Sequence, residues 1–88
     1  MRLLRPFLLL GLLAASCGRV AQAPECVAYV ECVKARDTVL TTTTDVVRFE
    51  SAGACWNNED LAGGCVKACS KGLKWLGSLS GAPKECTP

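Results

Sequence analysis

Cysteine is the residue type in this sequence with the most chemistry available to it. Seven cysteines occur in 88 residues, and the six that follow Cys17 have the spacing C-x5-C, C-x9-C-x3-C and C-x16-C. Such a set could form disulfides, bind zinc or carry redox or nucleophilic chemistry. An even number of cysteines favours disulfides in an exported protein, where an odd thiol would be a liability.

The other chemistries are less well supported by the same residues. Zinc knuckles usually contain the short CxxC spacing, and redox dithiols need it too. A cysteine nucleophile needs a base, and the sequence contains no histidine. Glu59 and Asp60 are adjacent, which suits a helix start better than acid/base catalysis. We therefore predict that the protein is not an enzyme and has no catalytic residue, metal or cofactor, with a zinc-binding domain as a lesser hypothesis.

Charge and composition point away from two further classes. Ten Lys/Arg residues stand against eight Asp/Glu residues, and Arg2 and Arg5 account for the surplus. A nucleic-acid partner would require clustered excess positive charge, so we expect none. No small-molecule substrate is evident from the sequence either.

The first sixteen residues are typical of an export signal. Arg2 and Arg5 precede an apolar run from Phe7 to Ala15. A run of about nine residues lies within the range of signal peptides and is far shorter than the ~20 residues that span a bilayer. We predict that residues 1–16 form a signal peptide and that the protein is exported.

Two cleavage sites compete after this run. Leu13, Ala14, Ala15 and Ser16 before Cys17 resemble the bacterial lipobox, although Ala14 stands where leucine is commonest. That resemblance implies that the Cys17 sulfur receives a diacylglycerol and that Cys17 becomes the first residue after cleavage. The alternative is cleavage after the "AQA" that ends at Ala23, which would release a soluble disulfide-rich effector or inhibitor. Pro24 fits poorly in the extended conformation that a protease binds, so we favour lipidation.

Residues 17–23 then read as a short lipid-anchored tether, and 24–88 as one domain. The stretch from Pro24 to Arg36 predicts a helix, with Pro24 in its first turn and Lys34 and Arg36 in its last. Four of its residues share one face through their i, i+3, i+4, i+7 spacing: Cys26, Tyr29, Val30 and Val33.

A second long helix is predicted over Asn57 to Gly77, capped by Asn57 or Asn58. Its expected buried face comprises Leu61, Cys65, Ala68, Cys69 and Leu76. The segment between the helices is ambiguous, because its threonines and valines would also suit a strand. We expect a loop at Thr41 to Thr44 and a short helix over Asp45 to Ser51 with Thr44 as its cap.

The expected fold is therefore a small all-α domain in which the two long helices form an antiparallel hairpin beside one short helix. Two cysteines on each helix could clamp such a hairpin, which favours one of the fifteen arrangements open to six cysteines. The pairs are Cys26–Cys69, Cys32–Cys65 and, by remainder, Cys55–Cys86. Three disulfides would add about 9 kcal/mol, comparable to the net stability of a whole domain.

The two tryptophans are candidate contact residues. Trp56 follows Cys55, which most often means an indole packed over a disulfide, and the alternative is an exposed contact residue. Trp75 offers the same choice. A domain of this size has difficulty covering two indoles, so we expect one of them to be exposed.

The segments "CVAYVEC", "GACW", "CVKAC" and the terminal "EC", after a lipobox-like cysteine, resemble small six-cysteine lipoproteins common in myxobacteria and related Gram-negative bacteria. The resemblance implies a helical disulfide-linked domain at the cell envelope, attached to a membrane through lipidated Cys17 and able to meet an envelope protein. Gly18 is not the aspartate that retains many lipoproteins in the inner membrane, which favours the outer membrane by analogy. The resemblance implies no activity and transfers no functional residue.

Overall fold

The computed structural model describes residues 18–88, and the predictions for residues 1–17 lie outside that range. Two α-helices dominate it: α1 at Pro24–Leu40 and α2 at Glu59–Gly77. Single 3-10 turns occur at Val47–Phe49, Ala54–Trp56 and Lys84–Cys86. Residues 18–88 contain no β-strand, so the predicted all-α, disulfide-linked domain is confirmed.

Helix α1 begins where the sequence predicts and ends four residues later than expected. The Ala23 carbonyl accepts hydrogen bonds from the backbone N–H groups of Cys26 and Val27 at 3.0 and 3.1 Å. Nothing between Arg36 and Leu40 stops a helix, since neither glycine nor proline occurs there. The helix ends when Thr41 adopts a left-handed conformation with φ 55°.

Helix α2 has both predicted ends. The Asn58 side-chain oxygen accepts a hydrogen bond from the Leu61 N–H at 2.9 Å, which satisfies one of the free donors of the first turn. Cys65, Cys69 and Leu76 are buried on the inner face as predicted. Leu61 and Ala68 are wrongly placed on that face, because both are exposed, while Ala62 and Val66 pack against the core.

The connection between the helices contains a 3-10 turn at Val47–Phe49 in place of the short helix expected over Asp45 to Ser51. Thr44 is not the predicted cap, because its N–H and hydroxyl both donate to the Asp37 carboxylate at 2.7 and 2.8 Å. The Asp45 side chain accepts from the Val47 N–H at 3.1 Å, two residues on, at the start of the 3-10 turn. Thr44 thus holds the start of the connection against the end of α1.

The helices run in the same general direction instead of forming an antiparallel hairpin. Cys26 is bonded to Cys69, and Leu76 shares a core cluster with Val33, so contacts advance together along both helices. The connection makes this arrangement possible by returning past the start of α1 to the segment before it, where Trp56 accepts a backbone hydrogen bond from Val20. Helix α2 therefore begins beside residues 19–20, ahead of the N-terminus of α1.

The parallel direction of the two helices determines which cysteines can pair. The predicted Cys26–Cys69 pair is confirmed, with a Cα–Cα distance of 5.1 Å. The predicted Cys32–Cys65 and Cys55–Cys86 pairs are wrong, because between parallel helices Cys32 lies further along α1 while Cys65 lies further back along α2. The pairs in the structure are Cys32–Cys86 and Cys55–Cys65.

The core consists of two adjoining clusters built around these bridges. One contains Cys26–Cys69, Cys55–Cys65 and Trp56, and the other contains Cys32–Cys86. Tyr29 and Phe49 pack against both clusters and meet edge to face, with ring centroids 5.3 Å apart. The aromatic pair thus joins the two halves of a core in which disulfides supply much of the apolar volume.

The segment predicted as a tether lies along the domain. The Val20 N–H donates to the Trp56 carbonyl at 2.9 Å, and the Gln22 side-chain amide donates to the Phe49 carbonyl at 2.8 Å. The Arg19 guanidinium donates to the Asn57 side-chain oxygen at 2.6 Å. Residues 19–22 therefore make three hydrogen bonds to the part of the chain that follows Pro24.

Candidate interaction site

A groove between α1 and α2 is the candidate site. Helix α1 contributes Tyr29, Val33 and Arg36, and α2 contributes Gly72, Trp75 and Leu76. Thr44, in the connection, completes the lining. The groove encloses about 190 Å³, which is below the ~300 Å³ at which pockets for drug-sized ligands begin. Its size therefore suits a single side chain.

Aromatic rings form the walls of this groove. Trp75 is 60% exposed, while Tyr29 is half-buried and held in place by its contact with Phe49. Gly72 allows α2 to approach the Tyr29 ring closely, because a Cβ added there would lie 2.6 Å from Tyr29 Cε1. Val33 and Leu76 are buried and give the groove an apolar floor.

Two cations lie at the groove. Arg36 lines it directly, and exposed Lys71 lies one helical turn before Trp75 on the same side of α2. Within residues 18–88 the only ion pair is Lys34–Glu50, so these two cations have no carboxylate partner there. Asp37 is the nearest acidic neighbour along the chain, and its oxygens accept from Thr44.

The lining of the groove is suited to recognition of a ligand. Its lining contains no carboxylate, thiol or imidazole, and the Thr44 hydroxyl already donates to Asp37. Among residues 18–88 no three His, Cys, Asp or Glu side chains cluster as metal ligands would. An apolar slot beside unpaired cations can hold an apolar group that carries negative charge next to it.

Comparison with protein-family models, with curated proteins and with solved structures finds no significant match to this chain. The site is therefore interpreted from its own geometry.

The two tryptophans that were candidate contact residues differ in their burial. Trp56 is completely buried, and its indole N–H donates to the Glu50 carbonyl at 2.9 Å, so a contact role for it is wrong. It packs in the cluster that holds the Cys26–Cys69 and Cys55–Cys65 bridges, as the packed alternative predicted. Trp75 is the exposed indole and lines the groove.

Arg36, Thr44 and Gly72 are groove residues that the sequence analysis did not identify. A signal for Arg36 was available: it lies seven residues after Tyr29, so both fall on the same face of a helix that continues beyond Arg36. Ending the helix at Arg36 placed this cation in a last turn and obscured that relation. Thr44 and Gly72 lie at the groove only because the helices pack in parallel. Local sequence patterns do not predict that packing.

The remaining predicted site residues fall into two groups. All six cysteines of the predicted disulfide set are bonded, in the pairs given above. Cys17, the predicted lipidation site, lies outside the described residues. Within residues 18–88, neither α-helix combines the length and apolarity needed to cross a membrane.

Proposed function

We propose that this chain is a non-enzymatic cell-envelope lipoprotein: a small binding domain attached to a membrane by acyl chains on Cys17. Cys26 and the five cysteines after it pair only with one another, and this observation carries the proposal. Of the seven cysteines in the sequence, only Cys17 is outside this set. Three disulfides also indicate an oxidising environment, consistent with export.

The contacts of residues 19–23 support cleavage before Cys17 over cleavage after Ala23. Val20 packs against the cluster around Trp56, and Gln22 is hydrogen-bonded to the connection. Cleavage after Ala23 would remove both contacts and the carbonyl that begins α1. A mature protein that retains this segment keeps the whole fold.

The groove supports a binding role. An exposed indole beside an apolar slot is typical of interaction surfaces, in which tryptophan and arginine are enriched. The outer membrane is the proposed location, because Gly18 lacks the negative charge of an inner-membrane retention signal. Two or more acyl chains would make the attachment stable, at ~0.8 kcal/mol for each buried CH₂.

Metabolic labelling with radioactive palmitate tests the proposal. We expect label in the wild-type protein and in the double variant Cys55→Ser/Cys65→Ser, which keeps Cys17. The Cys17→Ser variant should carry no label. An unlabelled wild-type protein would overturn the lipoprotein proposal.

Intact mass with and without reductant distinguishes the remaining outcomes. The proposal predicts a chain that starts at an acylated Cys17 and gains six hydrogens on reduction. A chain that starts at Pro24 without lipid would show a released effector instead. Free thiols with bound zinc would show a metal-binding domain.

A further inference from the structure

We propose that the groove between α1 and α2 binds an acidic peptide segment of a partner protein, which inserts one leucine-sized apolar side chain between Tyr29 and Trp75. The inference deepens the binding role proposed above by assigning its surface and the chemistry of its partner.

The floor and walls set the apolar part of the ligand. A volume of about 190 Å³ over Val33 and Leu76 accommodates one large side chain and excludes a bulky cofactor. Tyr29 is fixed on its far side by Phe49, so that wall is already formed before a ligand arrives. Little conformational entropy is lost when a rigid wall is filled.

The rim sets the charge of the ligand. Arg36 and Lys71 have no carboxylate partner within residues 18–88. Carboxylates that flank the inserted side chain would meet these two cations, and a basic peptide would be repelled by them. Charge therefore selects acidic segments, while the slot selects those that carry an apolar side chain.

The position of the groove favours a protein over a lipid surface. The chain enters the domain beside Asn57, at the start of α2, because Arg19 is hydrogen-bonded there. Trp75 lies sixteen residues beyond Glu59, or about 24 Å further along the helix at 1.5 Å per residue. In a domain attached through Cys17, the groove lies at the end away from the attachment. Its concave form also suits an inserted side chain.

Titration of the isotope-labelled protein, produced from the full chain with its disulfides formed, tests the assignment by NMR. The probes are three blocked pentapeptides: Glu-Glu-Leu-Glu-Glu, Lys-Lys-Leu-Lys-Lys and Glu-Glu-Ala-Glu-Glu. We expect the acidic leucine peptide to give saturable shifts at the Gly72 amide and the Trp75 indole, with a Kd of about 1 mM or tighter. The other two peptides should bind at least about fivefold more weakly, since ~1 kcal/mol of charge or apolar contact is lost.

Two charge reversals provide the matched comparison. Arg36→Glu should weaken binding of the acidic leucine peptide by about fivefold or more. Lys84→Glu, which reverses a charge outside the groove lining, should change it by less than about twofold. Equal effects of the two variants would overturn the assignment, as would equal binding of the basic peptide or the absence of a saturable shift.

Vesicles separate the remaining alternative and the proposed function. Shifts at Trp75 caused by phosphatidylglycerol vesicles, without a response to the acidic leucine peptide, would assign the groove to a lipid surface and overturn the peptide assignment. Peptide binding does not depend on acylation, so a protein that binds the peptide and takes up no palmitate would retain the groove and lose the anchor. A protein that takes up palmitate and does not bind the peptide would keep the proposed anchor and lose the groove assignment.

Discussion

Trp56 shows how much of this small core depends on one residue. Its side chain is fully buried against two disulfides, and its single polar atom is satisfied by the Glu50 carbonyl. Gly53 allows the chain to turn tightly enough to place it, because a Cβ at that position would overlap the Arg48 carbonyl oxygen. The Gly-x-Cys-Trp pattern is thus a structural unit of the core.

Replacing the two tryptophans should therefore have unequal effects. We expect Trp56→Ala to lower the free energy of unfolding by about 3–5 kcal/mol, because it leaves a cavity and an unpaired carbonyl. Trp75→Ala, at an exposed position, should change it by less than about 0.5 kcal/mol. Denaturant unfolding of the oxidised proteins measures both, and similar losses would contradict the burial described here.

Thr41 is a second residue whose conformation should measurably lower the free energy of unfolding. It is the only non-glycine residue with positive φ among residues 18–88, and its branched Cβ makes that conformation unfavourable. We expect Thr41→Gly to raise the free energy of unfolding by about 1 kcal/mol. Thr42→Gly is the matched control and should be neutral or destabilising, because it adds only unfolded-state entropy. Thermal unfolding compares the two, and stabilisation by Thr42→Gly alone would contradict the assignment.

At the scale of the elements, the cap of α2 is a feature that the sequence predicted well. Asn57 and Asn58 both qualified as the cap of α2, and the structure assigns Asn58, whose side chain accepts from Leu61. Asn57 instead accepts from exposed Arg19. Of the two neighbouring asparagines, Asn58 therefore caps α2 and Asn57 binds Arg19.

Alanine substitutions should distinguish them. Asn58→Ala should lower the free energy of unfolding by about 1 kcal/mol through loss of the cap. Asn57→Ala should cost less than about 0.5 kcal/mol, since the hydrogen bond that it removes is exposed. Amide hydrogen exchange in the first turn of α2 provides a second readout, which should accelerate in Asn58→Ala and stay unchanged in Asn57→Ala.

Local signals explain why the helices could be predicted and the connection could not. Pro24 and Asn58 act within one turn of their own positions, so their effects are visible in the sequence. The end of α1 depends on Thr41 adopting an unfavourable conformation, and Thr44 binds back to Asp37 across seven residues. Those choices follow from the tertiary path, which overrides the local capping preference of Thr44.

At the scale of the molecule, the direction of the helices was the decisive unknown. A connection of eighteen residues, from 41 to 58, can either turn back at once or return along α1, and composition does not choose between them. In the structure the connection returns along α1. Cys32 and Cys55 therefore have different partners from those predicted for an antiparallel hairpin. The candidate groove changes with them, since Arg36 and Trp75 meet across parallel helices.

A digest without reductant tests the whole arrangement. Trypsin should release fragment 49–67 on its own, closed by Cys55–Cys65, because its two cysteines bond to each other. The alternative pairs Cys32–Cys65 and Cys55–Cys86 would keep that fragment linked to other peptides. Mass spectrometry distinguishes the two outcomes directly.

A second protease completes the assignment. Cleavage after Glu31 separates Cys26 from Cys32, so each should then carry a different partner peptide. We expect Cys26 with the Cys69 peptide and Cys32 with the Cys86 peptide. An exchange of these partners would contradict parallel packing.

The pairing pattern also bears on how the protein is made. A chain that is exported from its N-terminus presents Cys26 and Cys32 long before their partners, which lie 43 and 54 residues later. An oxidase that joined cysteines in order of emergence would link Cys26 to Cys32, and only the Cys55–Cys65 bridge would form correctly. If oxidation followed that order, the native pairs would require disulfide isomerisation, and a host without an isomerase should accumulate the domain in a mispaired form.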